Sequence, residues 1–167
     1  MRNKIYLLLL LALMAAPVAT SWSMQLFSWG IPQSDQAQGQ LLPDRPPLQE
    51  WPLAWQPDGH WWLVMAEVEG CGARCSEQAD KLWRIHRALG RDADRVLRLR
   101  AGQQTASLPG EVALDWQATP PAGIQPGQTW VVDPEGRVVL TYAADVSPEK
   151  IHTDLLHLLK FNPAREI

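Results

Sequence analysis

Two cysteines, Cys71 and Cys75, are the only thiols of the 167-residue chain, and three residues separate them in the stretch Gly-Cys-Gly-Ala-Arg-Cys. A thiolate is both a nucleophile and a ligand for soft metals such as Cu(I) or Zn. Where a loop turns into a helix, this spacing lets both sulfurs converge on one point, and the same convergence permits a disulfide. The pair therefore predicts one of three kinds of site: reversible thiol chemistry, a metal clamp or an inert staple.

The position of the cysteines favours a thiolate, but the neighbouring charges are divided. Backbone N–H groups and the dipole at a helix N-terminus stabilise a thiolate, and Arg74 between the cysteines adds positive charge. The carboxylates of Glu67, Glu69 and Glu77 oppose it. A staple across so short a loop removes little entropy from the unfolded chain, so stabilisation alone is a modest reason for the pair.

A divalent metal held by two thiolates needs a third ligand, usually histidine. His60 begins the predicted strand that leads to the cysteines, roughly 25 Å away at the rise of an extended chain. His86 lies about 16 Å along the following helix, and His152 and His157 lie on the last helix. We expect all four to be surface or packed side chains, which leaves Cu(I) bound by Cys71 and Cys75 as the favoured metal site.

The N-terminus predicts a membrane segment. Two basic residues precede an apolar run from Ile5 to Ala19, which its next residues extend to about 18, the lower limit for spanning a bilayer. No further Lys or Arg appears before Arg45, and this asymmetry places the N-terminus in the cytoplasm. We expect residues 1–22 to be a single-pass anchor. The alternative is a signal peptide cleaved at Ala19-Thr-Ser21.

The charge of the chain argues against nucleic acid as a partner. The formal net charge is -3 and the pI is about 5.8, whereas nucleic-acid binding needs a basic footprint.

The predicted anchor also determines the expected location. Everything after residue 22 is expected in a bacterial periplasm, with the anchor in the inner membrane. That compartment permits disulfides.

Residues 23–59 are predicted to be a Pro- and Gln-rich linker without helical periodicity. The stretch from Gly39 to Pro43 and the prolines that follow favour an extended lead-in lying on a globular body. A tether that carries the domain away from the membrane explains the same composition.

The globular domain is predicted over residues 60–162, followed by a tail, 163–167. The predicted elements are a buried strand (His60–Val68), a helix (Ser76–Leu89), a strand with one polar face (Arg95–Arg100), a short strand (Val112–Asp115), a hairpin (Thr129–Asp133 and Arg137–Tyr142) and a helix from Ser147 onward. The apolar face of the first helix is predicted to consist of Ala79, Leu82, Trp83, His86 and Leu89. A strand–helix–strand unit, then an antiparallel hairpin and a closing helix, predicts a thioredoxin-like α/β fold, with a central mixed sheet flanked by helices. The cysteines follow the first strand, at the sheet edge where α/β folds place chemistry.

Two blocks of the sequence resemble the Sco copper chaperones of cytochrome c oxidase assembly, a branch of the thioredoxin superfamily. One block is the first strand, the CxxxC motif and the following helix; the other is Thr129-Trp-Val-Val-Asp-Pro-Glu-Gly-Arg-Val139 with the helix after Ser147. The chain is still more similar to a group of single-span bacterial proteins associated with cytochrome oxidase biogenesis. In that group the anchor, a Gly-x-Leu-Leu-Pro lead-in, the CxxxC and a following Ala-Leu-Gly recur together.

The chain departs from the Sco pattern at two positions and from the thioredoxin pattern at a third. Ser76 stands where Sco proteins have proline after the second cysteine. Counting back from the hairpin turn, Gln125 stands at the position of their copper-ligand histidine, and Gln128 at the position of the thioredoxin cis-proline. Glutamine is a poor copper ligand, so the resemblance implies the fold and the pathway but argues against tight Cu(II) binding.

The resemblance implies an assembly factor rather than a metabolic enzyme. A solvent-facing dithiol, Cys71 and Cys75, would exchange thiols with an oxidase subunit or another assembly factor at the membrane, or pass on Cu(I). The alternatives are a binding module whose cysteines form a permanent staple, and a general thiol oxidoreductase. The spacing of the cysteines and Gln128 before the hairpin strand count against the last.

Overall fold

The structure, a computed structural model, describes residues 2–27, 37–41, 44–69, 71–102 and 108–162. Gly70, the predicted tail and residues 28–36 and 42–43 of the predicted linker lie outside this description. The chain divides into two compact units, Met1–Asp35 and Gln36–Ile167.

The described part of the first unit is one helix, α1 (Arg2–Phe27). Within α1, Lys4–Ser23 spans 20 residues with a mean hydropathy of 2.0, so it is long and apolar enough to cross a membrane. A signal sequence near an N-terminus has the same length and composition. Cleavage and orientation therefore stay predictions.

The second unit is built on a mixed sheet. Among the described residues its strands are β1 (Gln40–Leu41), β2 (Trp61–Ala66), β3 (Val96–Ala101), β4 (Glu111–Leu114), β5 (Thr129–Val132) and β6 (Val138–Tyr142), in the order β1-β6-β5-β2-β3-β4. Strands β2, β3 and β4 are parallel, while the β2–β5, β5–β6 and β6–β1 pairs are antiparallel. Helix α2 (Gly72–Ala88) connects β2 to β3, and α3 (Pro148–Phe161) follows β6. The predicted mixed sheet flanked by helices is confirmed.

Helices α2 and α3 cover one face of the sheet. Trp61, Leu63 and Met65 alternate along β2 towards them, as the period of a strand requires. The buried stripe of α2 consists of Cys75, Gln78, Ala79, Leu82 and Ile85. The predicted stripe was wrong at two positions, since Trp83 and His86 are only half-buried. Helix α2 begins at Gly72 rather than at Ser76, and the extra turn carries the stripe back to Cys75.

The opposite face of the sheet is covered by the lead-in instead of a helix. Trp62, Val64, Ala66, Trp130 and Val132 project from the strands into this second core, and Leu48, Trp51, Leu53 and Trp55 close it. The ring of Trp51 meets that of Trp130 edge to face at 5.2 Å. The backbone N–H of Leu48 donates to Gly136 O at 2.7 Å. Residues 48–55, assigned to the linker by sequence, are thus packed as a layer of the domain.

A buried carboxylate holds the start of the lead-in. Asp154 on α3 accepts hydrogen bonds from the backbone N–H of Gln38, at 2.8 Å, and of Gly39, at 2.8 Å, and from the hydroxyl of Tyr142, at 2.8 Å. A Cβ on Gly39 would lie 2.6 Å from the Tyr142 ring, so only glycine fits there. Next to this contact, β1 pairs Gln40 with Thr141 of β6.

Candidate functional site

The two cysteines form a disulfide across the first turn of α2. Cys71 occupies the N-cap position and Cys75 lies one helical turn further on, with 5.4 Å between their Cα atoms. Residues four apart are neighbours on a helix surface, which explains why three intervening residues suit a disulfide here. Gly72 follows Cys71 with a φ of +47°, a left-handed conformation that glycine adopts without strain.

The disulfide is buried, which corrects the expectation of a solvent-facing dithiol. Cys71 is 5% exposed and Cys75 is 0% exposed, and both belong to the core cluster between the sheet and the helices. The sulfur of Cys75 lies 3.8 Å from the carbonyl oxygen of Ala66, the last residue of β2. Cys71 is thus the less buried residue of the pair.

A turn of residues 125–128, between β4 and β5, lies beside the first turn of α2, which carries the two cysteines. Gly127 is buried with a φ of +74°. A Cβ built on it would lie 3.2 Å from the Cβ of Ala144 and 3.7 Å from the Cγ of Arg74. This turn contains Gln125 and Gln128, the two glutamines that the sequence analysis singled out.

A chain of polar contacts connects α2 to this turn. The buried amide of Gln78 donates to the hydroxyl of Thr129 at 2.9 Å. The hydroxyl of Thr141 accepts from the amide of Gln128 at 3.0 Å and lies 3.4 Å from Thr129 O, to which it donates. Sequence reasoning missed Gln78; its signal was a polar residue within the apolar helical stripe, three positions after Cys75.

The charges near the site are arranged differently from the sequence-based expectation. Glu67 forms an ion pair with Arg100 of β3 at 2.7 Å, so its charge is balanced locally. Arg74, Glu69 and Glu77 are exposed, where water screens their effect on the sulfurs.

Strand β3 does not have the solvent-facing polar side that its alternation predicted. Arg98 is 2% exposed and Arg100 is also buried. Arg98 donates to the carbonyl of Pro109, and burial lowers its pKa while the neighbouring carboxylate of Glu111 opposes that shift. The predicted alternation of polar and apolar side chains along β3 was correct, but both faces of the strand are buried in the domain.

The four histidines contact other parts of the chain. His60 lies 3.2 Å from Asp58, His86 lies 2.8 Å from the carbonyl of Val96, and His152 lies 3.3 Å from the carbonyl of Ala88. His157 packs against the ring of Phe161. Within the ranges that the structure describes, no three His, Cys, Asp or Glu side chains gather as a metal site. If reduced, Cys71 and Cys75 would offer two thiolates one helical turn apart, a donor set that suits two-coordinate Cu(I).

The sheet order, the helices and a CxxxC disulfide at the end of the first long strand define a thioredoxin-like domain. The family model described as "Transmembrane-like, thioredoxin-like, C-terminal domain" matches residues 61–162, and the chain belongs to that family. A search of curated proteins found no match.

Solved structures of Sco1 proteins are among those that share this fold. The apo Sco1 protein of Thermus thermophilus is 18% identical, with a TM-score of 0.53 over 72% of this chain and 96% of that one. Copper-bound yeast Sco1 is 14% identical, with a TM-score of 0.50 over 65% of this chain and 84% of that one. At these identities the likeness establishes the fold.

Proposed function

We propose that this chain is a membrane-anchored assembly factor that acts on the copper site of a respiratory cytochrome c oxidase through Cys71 and Cys75. The observation that carries the proposal is the disulfide at the N-terminus of α2, where backbone N–H groups stabilise a thiolate. It occurs in a fold shared with Sco proteins, which are cytochrome c oxidase assembly proteins.

The pair supports two modes of action. In thiol exchange, a partner dithiol transfers two electrons and two protons to the Cys71–Cys75 disulfide and becomes a disulfide itself, or the reduced pair does the reverse to an oxidised partner. In metal transfer, the reduced pair holds Cu(I) as cargo between two thiolates. Gln125, at the position of the Sco ligand histidine, favours Cu(I) over Cu(II) because no imidazole completes a higher coordination.

The location belongs to the same proposal. Helix α1 is the inner-membrane anchor and the thioredoxin-like domain lies in the periplasm, where the oxidase copper site or another assembly factor is the partner. The basic residues that precede the apolar run support this orientation. The single-span group without the ligand histidine is the subgroup that we assign to the chain.

The test is oxidase maturation in the native bacterium. A C71S/C75S strain is expected to lose most cytochrome c oxidase activity and oxidase-bound copper, with the protein present at its normal level in the membrane. Ala73→Ser is the matched control, since it adds a serine at an exposed position of the same turn and keeps both thiols. Full oxidase activity in the C71S/C75S strain would exclude the proposal.

A second candidate is a binding module with a permanent staple, and the burial of both cysteines favours it. Trapping thiols in intact cells with a maleimide separates the two. A working dithiol is found partly reduced, whereas a staple is wholly oxidised in every growth condition.

A further inference from the structure

The turn of residues 125–128 lies beside the first turn of α2, which carries the two cysteines. Gly127 is buried between Arg74, which lies between the two cysteines, and Ala144. Its N–H lies 3.4 Å from Ala66 O, the same carbonyl oxygen that the Cys75 sulfur contacts. The turn and the disulfide therefore meet at the end of β2.

Every backbone donor of this turn is used within the protein. The N–H of Gln125 donates to the side-chain oxygen of Gln128 at 3.0 Å. The N–H of Gly127 donates to Ala66, and that of Gln128 donates to Gln125 O at 3.1 Å. Pro126 has no N–H. The turn thus offers no N–H to which an incoming extended chain could pair.

The side chain of Gln128 forms two hydrogen bonds, one within the turn and one to β6. Its oxygen accepts from the N–H of Gln125, and its amide donates to the hydroxyl of Thr141 on β6 at 3.0 Å. Thr141 in turn lies beside Thr129, which receives the amide of Gln78 from α2. The side chain of Gln128 therefore holds the turn to the β5–β6 hairpin directly, and to α2 through Thr141, Thr129 and Gln78.

We propose that the 125–128 turn determines which reactants reach the Cys71–Cys75 disulfide, with Gln128 as its positioning residue; this rests on the function proposed above, because a permanent staple has no reactants. Small thiols and metal ions reach the sulfurs. A polypeptide dithiol that docks by adding a strand beside the site is disfavoured, because strand addition needs unpaired backbone groups there and this turn has no N–H to donate. The partner of the proposed thiol exchange therefore docks in another way.

The reaction to be compared is reduction by a dithiol. A thiolate of the reductant attacks the sulfur of Cys71, the less buried residue of the pair, the Cys71–Cys75 bond breaks and a mixed disulfide forms. The second thiol of the reductant then displaces Cys71. Two electrons and two protons have passed to the pair, which ends as two thiols, and the reductant ends as a disulfide.

The experiment measures two reduction rates on the detergent-solubilised full-length chain, one with dithiothreitol and one with reduced thioredoxin. The ratio of the thioredoxin rate to the dithiothreitol rate is expected to rise about tenfold in Gln128→Ala, since the loss of two hydrogen bonds frees the turn. Gln128→Glu keeps the acceptor for Gln125 but loses the amide donor to Thr141, so its ratio is expected to lie between the two. Gln117→Ala is the matched control at an exposed position and should leave the ratio unchanged.

A ratio that is the same in all four proteins would overturn the inference and leave the proposed function standing. The same holds if both rates rise by one factor in Gln128→Ala, because general loosening of the fold admits both reductants equally. A disulfide that neither reagent reduces in any folded variant would overturn the inference and the proposed function together. Circular dichroism establishes that each variant is folded.

Discussion

At the scale of residues, the spacing of Cys71 and Cys75 has a structural reason that the sequence showed only in part. Three intervening residues place the sulfurs one turn apart on a helix, and α2 begins early enough to supply that turn. The sequence predicted the pair and its position after a buried strand. It did not predict the earlier helix start, because Gly72 at N1 is a poor helix former and weakens the local signal. It also could not reveal Gln78, Gln128 and Thr141 as neighbours, since contacts between distant segments leave no periodic pattern.

Tyr142 gives a prediction at this scale. It is almost fully buried and donates to Asp154 at 2.8 Å, and burial followed by the Asp154 hydrogen bond raises its pKa well above the ordinary 10.0. Because the folded state favours the neutral phenol, this contribution to stability is fully present below about pH 10. It is lost as the pH rises above that value, where the unfolded chain releases the proton first. The slope approaches about 1.4 kcal/mol per pH unit.

Urea unfolding followed by tryptophan fluorescence between pH 7 and 11 measures this loss. Tyr142→Phe is expected to be less stable at neutral pH by about 1–3 kcal/mol, because a buried hydrogen bond is removed, and to decline less steeply in alkali. Tyr6→Phe, in α1, is the control. Equal alkaline slopes for the unmodified chain and Tyr142→Phe would contradict the assignment.

At the scale of elements, the lead-in is the feature for which sequence reasoning left two alternatives. Its prolines excluded regular α-helix and favoured an extended segment. Residues 44–59 instead form an irregular segment with one short 3₁₀ helix, Leu48–Glu50. Whether such a segment packs on the domain or remains a free tether depends on which side chains the sheet exposes on the face that the helices leave uncovered. Here that face presents Trp62 and Trp130, which need cover. Trp51, Trp55, Trp62 and Trp130 are accordingly buried.

Truncation of a buried side chain in the lead-in is expected to lower the free energy of unfolding substantially. Leu48 is 0% exposed in the second core, so Leu48→Ala is expected to lower the free energy of unfolding by about 2–5 kcal/mol. Gln56→Ala, at an exposed position of the same segment, should change it by less than about 0.5 kcal/mol. Urea titration of both variants is the measurement.

A chain that begins at residue 60, the predicted domain boundary, is expected to aggregate or remain unfolded because it exposes the tryptophan face. Cooperative folding of that chain with the stability of the full-length protein would mean that the lead-in is only a tether.

At the scale of the whole molecule, the order of elements was sufficient to predict the thioredoxin-like fold. A strand–helix–strand unit followed by a hairpin leaves few arrangements once right-handed crossover is required, and the sheet order agrees. The exposure of the site was not predictable in the same way. The burial of the two cysteines depends on contacts between segments that are distant in sequence, as when Gly127 and Cys75 both approach the carbonyl oxygen of Ala66.

Removal of the disulfide is expected to leave this fold intact. A five-residue ring reduces unfolded-chain entropy by an amount worth about 2 kcal/mol. The two cysteines lie in the first core, but its other buried side chains and the whole second core remain without the bond. The C71S/C75S protein should therefore unfold cooperatively with a stability about 2 kcal/mol below that of the oxidised chain, as measured by urea titration monitored by circular dichroism. Loss of cooperative unfolding would show that the pair is needed for folding, which is the role of a staple.

The central claim, that Cys71 and Cys75 are a working dithiol, is tested most directly by their reduction potential. The full-length chain in detergent is equilibrated in dithiothreitol buffers of defined potential, and its free thiols are alkylated and counted by mass. We predict a potential above about -300 mV, in the range of exchanging and regulatory pairs. A potential below about -300 mV, where structural disulfides lie, would contradict the account and leave the cysteines as a staple.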